Sequence, residues 1–303
     1  MSTVFSGSLW NALKTTLGKI VTDSTDGVES KAYFKKWMKE MTMADAYEDD
    51  AEYAGPAYAS YTAEGAELPT VGLDQGYTKR YIPRKFGAKL IVTREAMRDN
   101  KYPKVIDAAK RLKAALYNSM DIDATDILIN ATSTSYPGGD GLPLASASHT
   151  LPAGGTWSNL MATPMSPSRA AVIIATSAIR KLPGHNGAYG HLQPKGVVCP
   201  TEQWAIWEEL IGSAKAPEPG QFNAVNVVNK LGLEETCAIP WWDNTTTNYG
   251  IITDCDSPLN FRWRDKPESA TWVENSHQVS FYSISARWAC GYSDARCIFF
   301  VNA

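Results

Sequence analysis

The sequence lacks most of the features on which catalysis, metal binding and membrane insertion rely. Its five cysteines, at 199, 237, 255, 290 and 297, include no CxxC pair. A thiolate zinc site needs such pairs, because two cysteines on one turn fix half a tetrahedron. Odd in number and scattered, they read as buried free thiols in a reducing cytoplasm. No run approaches the ~20 apolar residues that a bilayer requires. The start, MSTVFSGSLWNALK, shows no basic segment followed by an apolar one, so the chain is expected to be made in the cytoplasm and to stay soluble. Nor is there an excess of positive charge: 29 basic residues face 32 acidic ones, for a formal net charge of −3. That balance excludes a protein that holds nucleic acid mainly by neutralising phosphates.

Catalytic patterns are equally scarce. No G-x-S-x-G elbow and no GK[ST] occur, and the glycines of YPGGDG lead into more loop rather than into a helix. The four histidines are His149, His185, His191 and His277. Ser146 and Ser148 precede His149, but all three lie in a stretch rich in glycine and proline. Each histidine reads as a surface or hydrogen-bonding residue. The pairs Glu208–Glu209 and Glu234–Glu235 are adjacent, and adjacent helix positions do not face one another. Asp121 and Asp123 lie far apart around one helix, which makes a shared metal ion implausible. No catalytic, cofactor or metal site is expected, and the chain does not read as an enzyme.

What is present begins with two amphipathic segments. Leu9, Leu13, Leu17, Ile20 and Val21 predict a helix over 8–21, and Tyr33, Phe34, Trp37, Met38 and Met41 predict another over 30–42. The next stretch is segregated by charge. From Asp45 to Glu67 there are seven acidic residues and no basic one; from Gln75 to Arg94 there are six basic residues and no acidic one. Phe86, Ala88, Leu90 and Val92 alternate with the period of a strand, and Gly65, Pro69, Gly72 and Gly76 mark a turn region between the halves. The simplest picture is a two-stranded arm, acidic on the way out and basic on the way back. An isolated ribbon of this kind is marginally stable in water. It is therefore expected to finish folding against something else, with Glu64, Glu67, Lys79, Arg80, Arg84 and Lys85 as candidate contacts.

After Pro103, suited to a first helical turn, Val105, Ala109, Leu112, Leu116, Met120, Ala124 and Ile127 predict a long helix of about 40 Å. Residues 133–167 read as loop and 167–182 as helix. VVCP (197–200) reads as a buried strand leading into the helix TEQWAIWEELIG, with Thr201 a candidate N-cap. Tyr282, Ile284, Ala286, Trp288 and Cys290 alternate along one strand, and CIFFV (297–301) is a second. The fold class is α+β. Trp241, Trp242, Trp263 and Trp272, with Asp243 and Asp265 nearby, leave room for a carbohydrate-binding or carbohydrate-active reading.

The order of elements resembles the tailed-bacteriophage major capsid proteins of the Hong Kong 97-type fold. The resemblance is carried by TAEGAELPTVG (62–72), the basic return strand, IVTREAMRDN (91–100) and the long helix ending DILINA (126–131). It continues through DGLPLASASHTL, VVCPTEQWAIWEELI and the terminal strands, and covers roughly 45–303. It implies an N-terminal arm (1–45), an extended β-hairpin loop (46–88) lying over a neighbour, and a peripheral domain (89–189) with a spine helix at 103–130. An axial domain (190–270) and peripheral return strands (271–303) complete it. It further implies self-assembly into pentamers and hexamers, and an icosahedral head shell around double-stranded DNA in the virion, with a portal as partner. No long helical scaffold-like segment precedes the arm, so a separate scaffolding protein, or assembly without one, is expected. Lys79 and Lys85 lie in the region where some relatives crosslink, but no partner can be assigned. An encapsulin, a bacterial shell of the same fold around an enzyme, is the alternative.

Overall fold

The computed structural model describes residues 15–21, 28–56, 58–70, 72, 74–93, 95, 102–152, 154–215, 225–233, 235–242, 248–274, 276–277 and 279–302. Their centre is a long helix laid across a four-stranded sheet. Strands β1 (Lys39–Thr42), β4 (Arg84–Thr93), β10 (Asn260–Glu274) and β11 (Val279–Gly291) pair in the order β1-β10-β11-β4. The alternation in β11 points Tyr282, Ile284, Ala286 and Trp288 inward, all essentially inaccessible to water. Against them lies the helix Tyr102–Ile129, close to the 103–130 that the apolar spacing predicts. Leu116, Met120, Ala124 and Ile127 share one core with Ile284, Ala286, Trp288 and Phe261. Trp288 stacks on Phe86 at 4.1 Å and donates its indole N–H to Asp123 at 2.8 Å. Asp121, two residues earlier, accepts the backbone N–H of Phe34 at 3.0 Å. The two aspartates therefore serve different neighbours, as their positions around the helix require.

The predicted 30–42 helix needs correction. Only Phe34–Trp37 is helical, and Lys39–Thr42 runs parallel to β10 from the pair Lys39–Asn260. The sheet edge offers those residues backbone partners, and Phe34 is held by stacking on Phe261 at 4.1 Å. A four-residue helix thus turns into an edge strand. Of the predicted 8–21 helix, residues 15–21 are helical, and Leu17 and Ile20 pack on Ala109 and Tyr282. Leu9 and Leu13 lie outside the described residues.

A second sheet has the order β12-β9-β7-β8, built from β7 (Pro194–Pro200), β8 (Glu235–Ile239), β9 (Tyr249–Thr253) and β12 (Ile298–Val301). Two helices cover it through Val172, Ala175 and Ile179 on Arg169–Ile179, and Trp207 and Leu210 on Trp204–Gly212. The first is capped by Ser168, which accepts from the N–H of Ala171 at 3.2 Å. Thr201 is not a side-chain cap. A 3-10 turn over Thr201–Gln203 precedes the second helix, and the N–H of Trp204 bonds to the Thr201 carbonyl instead.

Strand pairing also departs from the sequence reading at two places. Residues 260–270, expected in the axial segment, lie in a strand of the first sheet, and Ile298–Val301, expected among the peripheral return strands, pairs with β9 of the second. All four residues of β12 are buried, so the strand needs cover on both faces, which the second sheet and its surroundings supply. We expect Trp288→Ala to destabilise the unassembled subunit by about 3–5 kcal/mol, measured by urea unfolding, because the cavity would open between the long helix and the sheet.

Candidate functional site

The charge-segregated stretch folds as the ribbon its composition implies, but it ends earlier. Strands β2 (Glu48–Ala54) and β3 (Asp74–Tyr81) are antiparallel, and the register sets Asp49 opposite Arg80 and Asp50 opposite Lys79. After Ile82 and Pro83 the chain enters β4, which leaves the ribbon for the first sheet. Arg80 meets Asp49 with two bonds of 2.6 Å, and its guanidinium lies over the Tyr47 ring. Each group holds the other in its charged form through that hydrogen bond, but both face water, so the pair sets register more than it stabilises.

Strand alternation sends Glu48 and Asp50 to the other face, where they meet Arg262 of β10. Arg262 is 2 % exposed; Nη1 donates to Glu48 at 2.8 Å and Nη2 to Asp50. Its guanidinium lies 4.0 Å from the centre of the Tyr81 ring. Tyr81 and Ser293 share a hydroxyl contact of 2.8 Å, and Ser293 also donates to Asp50 at 2.6 Å. Gly291 leaves room for the ring: a Cβ there would come within 2.7 Å of Tyr81 Cε1. Lys79 donates to the Pro137 carbonyl at 2.5 Å, and burial pushes its amine below the usual lysine range. The root of the ribbon is therefore docked on its own body.

A second clamp lies further along β2. His185 faces Glu52 through Nδ1 at 3.1 Å and Asp294 through Nε2 at 3.4 Å. Burial alone would lower the imidazole's pKa, but the carboxylates of Asp294 and Glu52 outweigh it and raise it to about 9. Burial likewise opposes ionisation of Asp294, yet His185 and Arg296 bring its carboxyl down to about 2. Glu52, His185 and Asp294 bring three potential metal-ligand atoms within 4.8 Å of one another. Arg296 is a second cation on Asp294, at 3.0 Å. Their positions in the chain are too far apart for any spacing rule to join them.

Beyond the root, the tip stands in water. Tyr58, Tyr61 and Leu68 are 76 %, 95 % and 77 % exposed, and Glu64 and Glu67 are exposed between them. The six candidate contacts thus sort into two groups. Lys79, Arg80 and Arg84 are engaged within the chain, Arg84 with Asp123 of the long helix. Glu64, Glu67 and the exposed Lys85 stay on the surface. The sequence reading missed Arg262, Tyr81 and Ser293. The one available signal was the alternation that turns Glu48 and Asp50 away from Asp49.

The remaining candidates are structural. His149 is buried, bonded to Asp140 at 2.7 Å and Asn159 at 3.1 Å, and stacked on Trp157. Trp242 and Trp263 belong to the core, and Trp272 stacks on Phe281, so the tryptophans form no common platform for a sugar. Asp243 lies outside the described residues. All five cysteines are free, and burial raises the Cys199 thiol to about 12. Among the described residues no helix is long and apolar enough to cross a membrane.

A family model described as phage capsid protein matches residues 76–299. No curated protein matches the sequence. Among solved structures, a chain of Mycobacterium phage Adephagia aligns over 89 % of both chains at TM-score 0.54 and 10 % identity. A chain from the procapsid of bacteriophage JBD30 aligns over 99 % of this chain and 76 % of its own, at TM-score 0.53 and 11 % identity. A virus-like particle from Pyrococcus furiosus aligns over 99 % of this chain and 100 % of its own, at TM-score 0.51 and 11 % identity. At such identities the likeness speaks to fold, and the fold is the Hong Kong 97-type α+β fold.

Two outcomes test the anchorage. Glu48→Gln with Asp50→Asn leaves Arg262 a buried cation without counter-charge and should cost about 3 kcal/mol in urea unfolding of the subunit; Arg262→Met should cost less, since the freed carboxylates can be hydrated. The His185 clamp is complete below pH 6.5, the ordinary histidine value, and is lost as pH rises through about 9. The difference in thermal midpoint between wild type and His185→Gln should therefore shrink over that window.

Proposed function

The chain belongs to the phage capsid protein family, and on that premise we propose how its parts divide the work of a phage head shell, of which it is a structural subunit. Residues 1–45 act as an arm, and the ribbon between 46 and 82 as an extended loop whose tip is laid over a neighbouring copy. The first sheet, with the long helix packed on it, forms the peripheral region, and the second sheet with its two covering helices supplies the axial region that gathers about five- and six-fold centres. Copies associate as pentamers and hexamers around double-stranded DNA, with a portal and a separate scaffolding protein as partners. Assembly takes place in the host cytoplasm, and no step of it requires catalysis by this chain.

The observation that carries this reading is the contrast within the ribbon. Its root is held by a buried ion network, while its tip extends two tyrosines and a leucine into water. Covering a side chain of the size of Leu68 contributes about 1.5–3 kcal/mol, so a neighbour gains by accepting the tip. Many such modest contacts, repeated under closed symmetry, add up to a durable shell. The near-neutral net charge suits a wall that encloses DNA without gripping it. A shell around protein cargo is the second reading, because a wall without a basic excess can enclose protein as well as nucleic acid.

Replacing residues 57–72 with a short glycine-serine turn keeps Glu48, Asp50 and Tyr81. It should give a subunit with wild-type circular dichroism and unfolding that forms no closed particles in electron micrographs. Normal particles from this variant would refute the role given to the loop. In wild-type particles, nuclease-resistant DNA supports a phage head, and a protein cargo without nucleic acid supports the second reading.

A further inference from the structure

A groove of about 590 Å³ lies where the start of the first sheet approaches the second. Its floor is apolar: Trp37, Met38, Val197 and Cys237 are each at most 5 % exposed, and Ile252 is half-buried beside them. Four lysines line it, Lys35, Lys36, Lys39 and Lys195, against the two acids Asp254 and Asp256. Lys35 is already paired with Glu29 and Glu40, and Asp254 accepts the N–H of Gln193 at 2.7 Å. Lys36, Lys39 and Lys195 are exposed. The indole N–H of Trp37 is buried and has no hydrogen-bond partner.

The ribbon tip has the complementary chemistry. From Asp45 to Thr78 the sequence contains no basic residue, and the tip presents Glu64 and Glu67 between Tyr61 and Leu68. Its carboxylates match the exposed lysines, its tyrosine hydroxyls can donate to Asp256, and its leucine and rings match the apolar floor. Within one chain the two do not meet, since Tyr61 is 95 % and Leu68 77 % exposed. We infer that the lysine-lined groove is the receiving site for the ribbon tip of a second copy. This inference rests on the shell-forming role proposed above and assigns the surface on which the loop is laid. Long-range attraction between acidic tip and basic rim guides the approach, and burial of Leu68 and the tyrosines against Trp37 and Met38 holds it.

Hydrogen–deuterium exchange on the unmodified protein, before and after assembly, reads both sides of the contact. Exchange should slow by roughly tenfold or more in 58–70 and, together with it, in 35–39 and 252–258. Closed particles in which the tip is protected and the groove is not, or the groove and not the tip, would overturn the site while leaving the shell function intact. Failure of the protein to form particles at all would count against the function. A charge exchange gives a second measurement. Lys36→Glu with Lys39→Glu, and separately Glu64→Lys with Glu67→Lys, should each slow assembly at low salt and less at high salt, because screening weakens such contacts. Combining all four changes should restore the rate, and four-fold variants that are folded by circular dichroism but assemble no faster than either parent would refute the pairing.

Discussion

The buried Arg262 guanidinium fixes the rest of the arrangement. A cation removed from water is costly unless opposite charge and hydrogen bonds surround it, and the strand β10 that carries it cannot supply them. Glu48 and Asp50 come from β2, the ring face from Tyr81 at the end of β3, and the hydroxyl that orders Asp50 from Ser293. Both strands of the ribbon are thereby tied to the middle of the first sheet. The ribbon leaves the body in one direction because its first turns cannot move without exposing that cation or stranding it.

That anchorage changes the meaning of the ribbon. A hairpin with no cover would need a partner simply to exist. Here the body stabilises the root, with His185 adding a second tie to Glu52, so the hairpin can form in an unassembled subunit. What remains uncovered is confined to the tip. A subunit that presents a preformed ribbon loses less conformational entropy on association than one that must order the whole segment. The division between fixed root and bare tip serves assembly better than a wholly unsupported arm would.

The long stretch 133–167 illustrates a related solution. Loops of this length need their backbone groups satisfied. Asn159 donates to the carbonyls of Leu144, Ala295 and Ile298 at 2.6, 2.8 and 3.2 Å, and its own side-chain oxygen accepts the Ser146 N–H at 3.0 Å and meets His149 Nε2 at 3.1 Å, joining the loop to the C-terminal segment. The same C-terminal segment supplies Asp294 and Arg296 to the His185 clamp. It therefore links loop, ribbon and both sheets, and its last strand crosses to the second sheet because it must be covered on both faces.

Elements whose signal is periodic or compositional were legible in the order of the residues alone. The three-to-four-residue spacing from Val105 to Ile127 specified the long helix, and the alternation in Tyr282–Trp288 specified a half-buried strand. The run of acids followed by bases specified a hairpin. Which of those charges face inward depends on packing, because Arg262 and Glu48 are more than two hundred residues apart and local patterns carry no information about such pairs. The same holds for the turn of Lys39–Thr42 from helix to edge strand, where the partner on β10 overrides local propensity. It holds too for the separation of Lys79, Arg80 and Arg84 from Glu64, Glu67 and Lys85. Composition fixed the sign of the charges, and three-dimensional packing fixed what they meet.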